Sequence, residues 1–253
     1  MKFLLLLSLG LSITSSWAKI VDKEFSRFAI ERSSLVGKKI IALTFDDGPN
    51  TTSTPAILDT LKKYNVKATF FVLGKLSHAN PEMMKRISEE GHLVSNHTYS
   101  HPALGGLSMF KRNKVAKDEI LRTHEEIEGY LNAGDRLFFR APENSWHKNI
   151  AGALNKDSTL RKYVGPVMWD VGGSNQEVNG KITGAADWAC WSKKWTVNEC
   201  MMGYISETER KKGGIVLMHD IHAKTAHMLE GYIQVLLSRG YKFVTLNDVD
   251  SLK

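Results

Sequence analysis

Residues 39–49 read KIIALTFDDGP. A short apolar run stops at two carboxylates, a glycine and a proline, which is the pattern of a buried strand running into a turn. Just beyond it, Thr54-Pro55 supplies an N-cap and a first-turn proline, and Ile57, Leu58 and Leu61 fall at helical spacing. A helix is therefore expected to about Asn65. Residues 67–73 (KATFFVL) are rich in aromatic and β-branched side chains and predict a second strand, and Asn80-Pro81 opens a second helix that closes at Gly91.

The alternation continues along the chain. Strands are expected at 92–95, 136–140, 167–171, 214–218 and 241–245, with helices over about 111–131 and 225–238. Repeated strand and helix units predict an α/β fold with a mostly parallel sheet covered by helices, either open or closed into a barrel. Residues 172–198 are rich in Gly, Asn and Trp and carry both cysteines, and read as a long loop or insertion on the face where strands end.

The 253 residues fit one domain behind a short leader, and 42% hydrophobic with 24% charged residues is a globular composition. Lys2, an apolar run over 3–13 and the small-residue exit Ser16-Trp17-Ala18 form the three parts of a secretory signal peptide over residues 1–18. The run is shorter than the roughly 20 residues that span a bilayer, so no stable membrane anchor is expected. Residues 19–37 read as an N-terminal extension and 38–253 as the domain. In an exported chain, Cys190 and Cys200 are expected to form a local disulfide. The net charge of +7 suits an anionic wall polymer. The scattered cations and the absence of a recognisable motif argue against nucleic acid.

Four polar clusters stand at expected strand ends, where α/β folds place their ligands: Asp46-Asp47, His97 with His101, Arg140 through Glu143, and His219-Asp220. Adjacent carboxylates can divide their tasks, one binding a cation and the other managing protons, although aspartates also simply cap turns. His97 and His101, four apart, would share one side of a helical turn. Two imidazoles plus a carboxylate form a set that leaves positions open on zinc or another first-row ion. Such an ion acidifies water and polarises a carbonyl, which points to amide or ester hydrolysis, and His219 is the best placed acid. His222 and His227 are its competitors.

Read together, these stretches resemble the NodB-like polysaccharide deacetylases, carbohydrate esterase family four. TFDDGP over 44–49 is similar to the first motif of that family, HTYSH over 97–101 to the second, Arg140-Ala141-Pro142 to the third and Leu217-Met218-His219 to the fifth. The resemblance spans about 38–249. It implies a distorted (β/α) barrel, often of seven strands. It also implies Asp46 as general base, Asp47, His97 and His101 as metal ligands, His219 as general acid, Arg140 orienting Asp46, and Leu217 lining a pocket for the acetyl methyl. Zinc is the divalent metal the family suggests.

Two departures from the family pattern stand out. Glu143 follows Pro142 where the family has tyrosine, whose backbone N–H helps to hold an oxyanion; a backbone donor survives the exchange, and the carboxylate is expected to face outwards and alter substrate contacts. The fourth motif, Asp-x-x-Asp-Trp, is matched only by Asp187-Trp188, with Gly184 in place of the first aspartate. Asp170 or Asp187 could then hold His219 charged, and Asp170 is carried among the catalytic candidates. Trp188 would wall the groove, with Pro142 and Glu143 beside it, while Trp191 and Trp195 are expected to pack the loop.

The resemblance implies an exported, periplasmic or secreted enzyme, expected as a monomer, that removes acetyl groups from N-acetylglucosamine in peptidoglycan. Chitooligosaccharides and acetylated xylan are alternative substrates, and a glycan-binding relative that has lost turnover is the alternative class.

Overall fold

Strand β2 (Ile40–Asp46) is buried along nearly its whole length, and its two faces serve different cores. Ile41, Leu43 and Phe45 pack outwards beneath the helices, whereas Ala42 joins the interior cluster with Phe71, Val164 and Ile215. By the same alternation Thr44 and Asp46 point inwards. A strand covered on both faces reads as one apolar run, so the sequence alone does not reveal this division.

The computed structural model describes residues 25–30 and 33–253, the side chains of 25–30 excepted. The expected leader, residues 1–18, lies outside the described residues. Strand β1 (Phe25–Ile30) precedes β2, which is followed by α1 (Ser53–Lys63), β3 (Thr69–Val72), α2 (Gly74–Ala79), α3 (Pro81–Glu89) and β4 (Leu93–Asn96). Then come α4 (Met109–Ile127), β5 (Leu137–Phe138), α5 (Lys148–Leu154) and β6 (Tyr163–Val167). A hairpin of β7 (Gln176–Val178) and β8 (Lys181–Gly184) leads to α6 (Asp187–Ser192) and α7 (Val197–Lys211). Strand β9 (Gly213–His219), α8 (Ala223–Ser238) and β10 (Lys242–Val244) complete the fold.

All ladders except the hairpin are parallel. β9 lies along one side of β2; on the other side β10 pairs with its start and β3 with its end, and β4 follows β3. β1, β6 and β5 form a second sheet. Single parallel bridges link β4 to the residue after β5, Asn96 to Phe139, and the segment after β6 to β9, Val171 to Val216. The strands thus come round in a distorted ring with their carboxyl ends on one face, which is the (β/α) architecture expected from the sequence.

Several local expectations are corrected. The strand expected at 167–171 lies four residues earlier, because Gly165-Pro166 reads as a breaker yet sits inside a fully buried strand. The expected loop over 172–198 contains the hairpin and α6, and it is followed by α7, which the apolar pattern does not announce. Its start was nevertheless written in the sequence: Thr196 and Glu199 form a capping box. The disulfide between Cys190 and Cys200 is present and ties α6 to α7. Residues before Lys38 also take part in the fold, since β1 pairs with β6 and Leu35 is buried in the interior cluster.

Candidate active site

In-register pairing of β2 with β9 places Asp46 opposite His219, Thr44 opposite Leu217 and Ala42 opposite Ile215. The expected base and acid therefore stand side by side at the ends of neighbouring strands, both turned into the ring. Asp47 would point the other way in a regular strand. Its φ of +77° breaks the alternation and turns it towards the same cavity.

Asp47, His97 and His101 converge, with one ligand atom from each lying within 4.8 Å of the others. His97 Nε2 and His101 Nε2 stand 3.3 and 3.2 Å from Asp47 Oδ1. That oxygen is sealed from solvent and has no contact of hydrogen-bond geometry, although two nitrogens face it. A buried carboxylate oxygen so placed is what a shared cation would satisfy, and the oxygen and nitrogen donors suit zinc or a similar ion. His97 is further fixed through Nδ1, 2.8 Å from the Arg140 carbonyl oxygen; donation there leaves Nε2 free as a ligand. Burial works to raise the Asp47 carboxyl, but the close approach of His101 and His97 outweighs it and holds the group well below the usual carboxylate range.

The histidine pair converges for a different reason from the one expected. Residues 97–101 are not a helical turn; they form a loop in which Thr98 and His101 have φ of +72° and +66°. Left-handed backbone at such residues costs about 1–3 kcal/mol each and persists where the surroundings impose it. Here Thr98 Oγ1 accepts the His101 N–H at 3.1 Å, and Glu119 of α4 accepts the N–H groups of Tyr99 and Ser100.

Asp46 is 3% exposed and rests on Arg140, itself 1% exposed. The guanidinium donates to Asp46 Oδ1 at 2.7 Å, to Thr44 Oγ1 at 2.8 Å and, through Nε, to the Val167 carbonyl at 3.0 Å, and it stacks 4.2 Å from the Phe71 ring. This buried pair fixes the carboxylate and directs its second oxygen towards the cation ligands, 3.8 Å from His97 Nε2.

His219 Nδ1 lies 2.7 Å from Asp187 Oδ1. Asp187 is completely buried and fully satisfied, accepting also from Trp188 N at 2.8 Å, His219 N at 2.7 Å and Thr225 Oγ1 at 2.9 Å. Burial lowers the His219 pKa, but the charge and hydrogen bond of Asp187 prevail and lift it to about 9. Asp170, carried from the sequence as a catalytic candidate, does not hold His219. Its carboxylate accepts from Ser33 Oγ at 2.5 Å and Ile215 N at 2.8 Å, and it lies over Gly214, where a Cβ would meet it. It is a structural tie between β9 and the segment before β2. The Asp-Trp pair at 187–188 was the signal for the right residue.

Asp220 follows His219, and nothing in the sequence gives it a role beyond that place. It is 1% exposed, accepts from Thr54 Oγ1 at 2.5 Å through its side chain and from Ser53 Oγ at 2.5 Å through its carbonyl, and donates its N–H to the Asp46 carbonyl at 3.3 Å. Its carboxyl lies so close to Gly48 that a Cβ there would overlap it. Burial pushes this carboxyl up to about 7. Asp220 thus clamps the turn carrying Asp46 and Asp47 to the strand end carrying His219.

Asp46, Asp47, His97, His101 and His219 face one cavity of about 460 Å³. Leu217, Trp169, Trp188, Glu143, Asn144 and His222 complete its walls. Trp188 is 52% exposed at the rim, whereas Trp191 and Trp195 pack against the core. Glu143 is exposed and lines the cavity, but Pro142 is buried and is not among the lining residues, so its expected place at the substrate is corrected. Trp169 and His222 were not selected from the sequence; the first follows a strand whose end was misplaced, and the second was set aside as a competitor of His219.

The fold and the site define an α/β barrel protein in which an Asp-His-His cluster that could hold a cation is flanked by a buried carboxylate–arginine pair and by an imidazole resting on a buried carboxylate. A family model described as polysaccharide deacetylase matches residues 34–159. The chain is 49% identical over 228 residues to a peptidoglycan-N-acetylglucosamine deacetylase of Bacillus cereus, covering 87% of this chain and 71% of that one. It is 36% identical over 214 residues to the peptidoglycan-N-acetylglucosamine deacetylase PgdA of Listeria monocytogenes, covering 83% of this chain but 39% of that longer protein. The crystal structure of the Bc1960 peptidoglycan N-acetylglucosamine deacetylase superimposes with a TM-score of 0.69 at 27% identity, covering 94% of this chain and 97% of that one. The chain belongs to the polysaccharide deacetylase family. Among the described residues no helix is long and apolar enough to cross a membrane.

Proposed function

We propose that this protein is a metal-dependent hydrolase that removes acetyl groups from N-acetylglucosamine residues of peptidoglycan outside the cytoplasm. The observation that carries the reading is the convergence, in one cavity, of the Asp47, His97 and His101 cluster with an arginine-held carboxylate on one side and a carboxylate-held imidazole on the other. The names of the matched relatives and the basic net charge support a wall glycan as substrate. Zinc is the preferred ion because the donor set is one carboxylate and two imidazoles.

A cation held by Asp47, His97 and His101 would polarise the acetamide carbonyl and acidify a nearby water. Asp46, oriented by Arg140, takes a proton from the attacking water as the water oxygen bonds to the carbonyl carbon. Glu143 lines the cavity at φ +53°, and its backbone N–H would donate to the developing oxyanion. His219, protonated through Asp187, donates from Nε2 to the departing nitrogen; the C–N bond breaks, and acetate and a free amine leave. Leu217 offers an apolar wall to the acetyl methyl and Trp188 a flat face to the sugar ring.

Mass spectrometry of wall glycan digested with zinc-loaded protein tests this reading. Loss of 42 mass units per acetyl group, as expected for acetyl replaced by hydrogen, should fall on N-acetylglucosamine. Loss on N-acetylmuramic acid alone, or on ester-acetylated xylan alone, would contradict it.

A further inference from the structure

Helices α4 and α5 enclose a second cleft of about 570 Å³, lined by Asn113, Lys148, Asn149, Gly152, Ala153 and Lys156. Two cations and two amides line it and no carboxylate does. Neither lysine is paired with an acid among the described residues. The carboxylate nearest in sequence, Asp157, is already occupied: Lys117 lies 3.0 Å from it, and the N–H groups of Thr159 and Leu160 donate to it. Asn113 Oδ1 is buried and has no donor among the described residues, so its amide can turn about χ2 without losing a hydrogen bond at that oxygen.

The position of this cleft relates it to the catalytic cavity. Both α4 and α5 begin after strand ends, so Asn113 and Lys148 lie towards the face that carries the site. Asn144 lines the catalytic cavity and Lys148 lines the cleft. Four residues separate them, so their Cα atoms are at most about 14 Å apart. Met109 and Phe110, 69% and 90% exposed, stand on the first turn of α4 beside Asn113. Charge divides the face: the catalytic cavity is lined by Asp46, Asp47 and Glu143 without a lysine or arginine, and the neighbouring cleft by two lysines without a carboxylate.

We propose that the α4–α5 cleft is a second subsite that binds the carboxylate-bearing peptide stem of the glycan whose acetamide occupies the catalytic cavity. Lys148 and Lys156 take the carboxylates, and the Asn113 and Asn149 amides pair with peptide N–H and C=O groups. The amides favour a peptide, whose backbone pairs N–H with C=O, over a polyol-phosphate chain, which offers hydroxyls and phosphate oxygens but no amide. The subsite rests on the deacetylase reading and deepens it, because it separates peptidoglycan from chitin, a neutral polymer with the same acetamide.

The test uses short glycan strands carrying stem peptides, either with free carboxylates or with those carboxylates converted to methylamides. Acetate release and fluorescence-anisotropy binding are measured for the wild type and for Lys148→Gln/Lys156→Gln. The wild type is expected to show a KM and a binding constant about tenfold lower for the free-carboxylate strands, as two charge-assisted hydrogen bonds would give, with similar kcat. The double variant is expected to lose that ratio, and the wild-type ratio should fall as salt rises. An equal KM for both strands in the wild type, a ratio retained by the variant, or competition by a polyol-phosphate polymer but not by free stem peptide would overturn the subsite. Absence of acetate from both strands, with binding discrimination intact, would instead contradict the deacetylase reading and leave the subsite standing.

Discussion

Asp187 Oδ1 and His219 Nδ1 are 2.7 Å apart, and Asp187 has no exposure to solvent. The pair couples an insertion helix to a strand of the ring, so the proposed general acid depends on a residue 32 positions away in sequence.

Asp187→Asn should lower kcat by about 10²–10⁴-fold, the range of a general acid's contribution, and move the alkaline limb of the pH–rate profile downwards. The sign follows from the causes: without the Asp187 carboxylate, burial, the largest effect on His219 and one that disfavours its charge, is opposed only by the weaker pull of Asp46 and Asp47. Protonated His219 also stabilises the fold. Its folded pKa is raised from 6.5 to about 9, so that contribution is full below about 6.5 and is lost as pH rises through about 9. Asp170→Asn should leave the alkaline limb in place and lower stability, read by urea unfolding. A limb that follows Asp170 instead would reverse the assignment.

Arg140→Ala leaves Asp46 as a buried carboxylate without its cation. Breaking a buried pair in this way should cost about 3–5 kcal/mol in chemical denaturation and reduce kcat/KM by at least about a hundredfold. Arg140→Lys keeps the charge but cannot reproduce the three directed hydrogen bonds to Asp46, Thr44 and Val167, so only partial recovery is expected.

Gly48→Ala should destabilise the protein by about 1–3 kcal/mol, because the added methyl overlaps the buried Asp220 carboxyl. Asp220→Gly in the same chain should recover part of that loss. The coupling is read from a double-mutant cycle in urea; additive effects would show that the two residues do not press on each other.

Chelation should abolish turnover and lower Tm, since a ligand bound only by the folded state at a hundred times its Kd contributes about 2.7 kcal/mol. His101→Ala should abolish the Tm rise on adding zinc while leaving the apoprotein folded, checked by calorimetry.

Much of the frame was legible in the sequence. β2, β3, β4, β9 and α1 announce themselves by apolar runs bounded by caps and turns. Asp47, His97 and His101, with Asp46, Arg140 and His219, stand at or just after strand ends, where topology gathers distant residues. β6 was misplaced because Gly165-Pro166 carries the signature of a turn while tertiary burial makes it a strand. The 172–198 stretch hid a hairpin and a helix because its Gly, Asn and Trp content masks periodicity. Asp170 and Asp187 each lie beside a tryptophan, and the Asp-Trp order at 187–188 is the one local hint that separates them. The ring decides between them, setting Asp170 over Gly214 and Asp187 against His219.

The central claim is that Asp47, His97 and His101 grip one cation between Asp46 and His219. Anomalous diffraction at the zinc edge from zinc-loaded crystals tests it most directly. A single strong peak about 2.0–2.2 Å from an Asp47 carboxylate oxygen, His97 Nε2 and His101 Nε2 is the expected result. A zinc peak elsewhere, with those three side chains unligated, would contradict it.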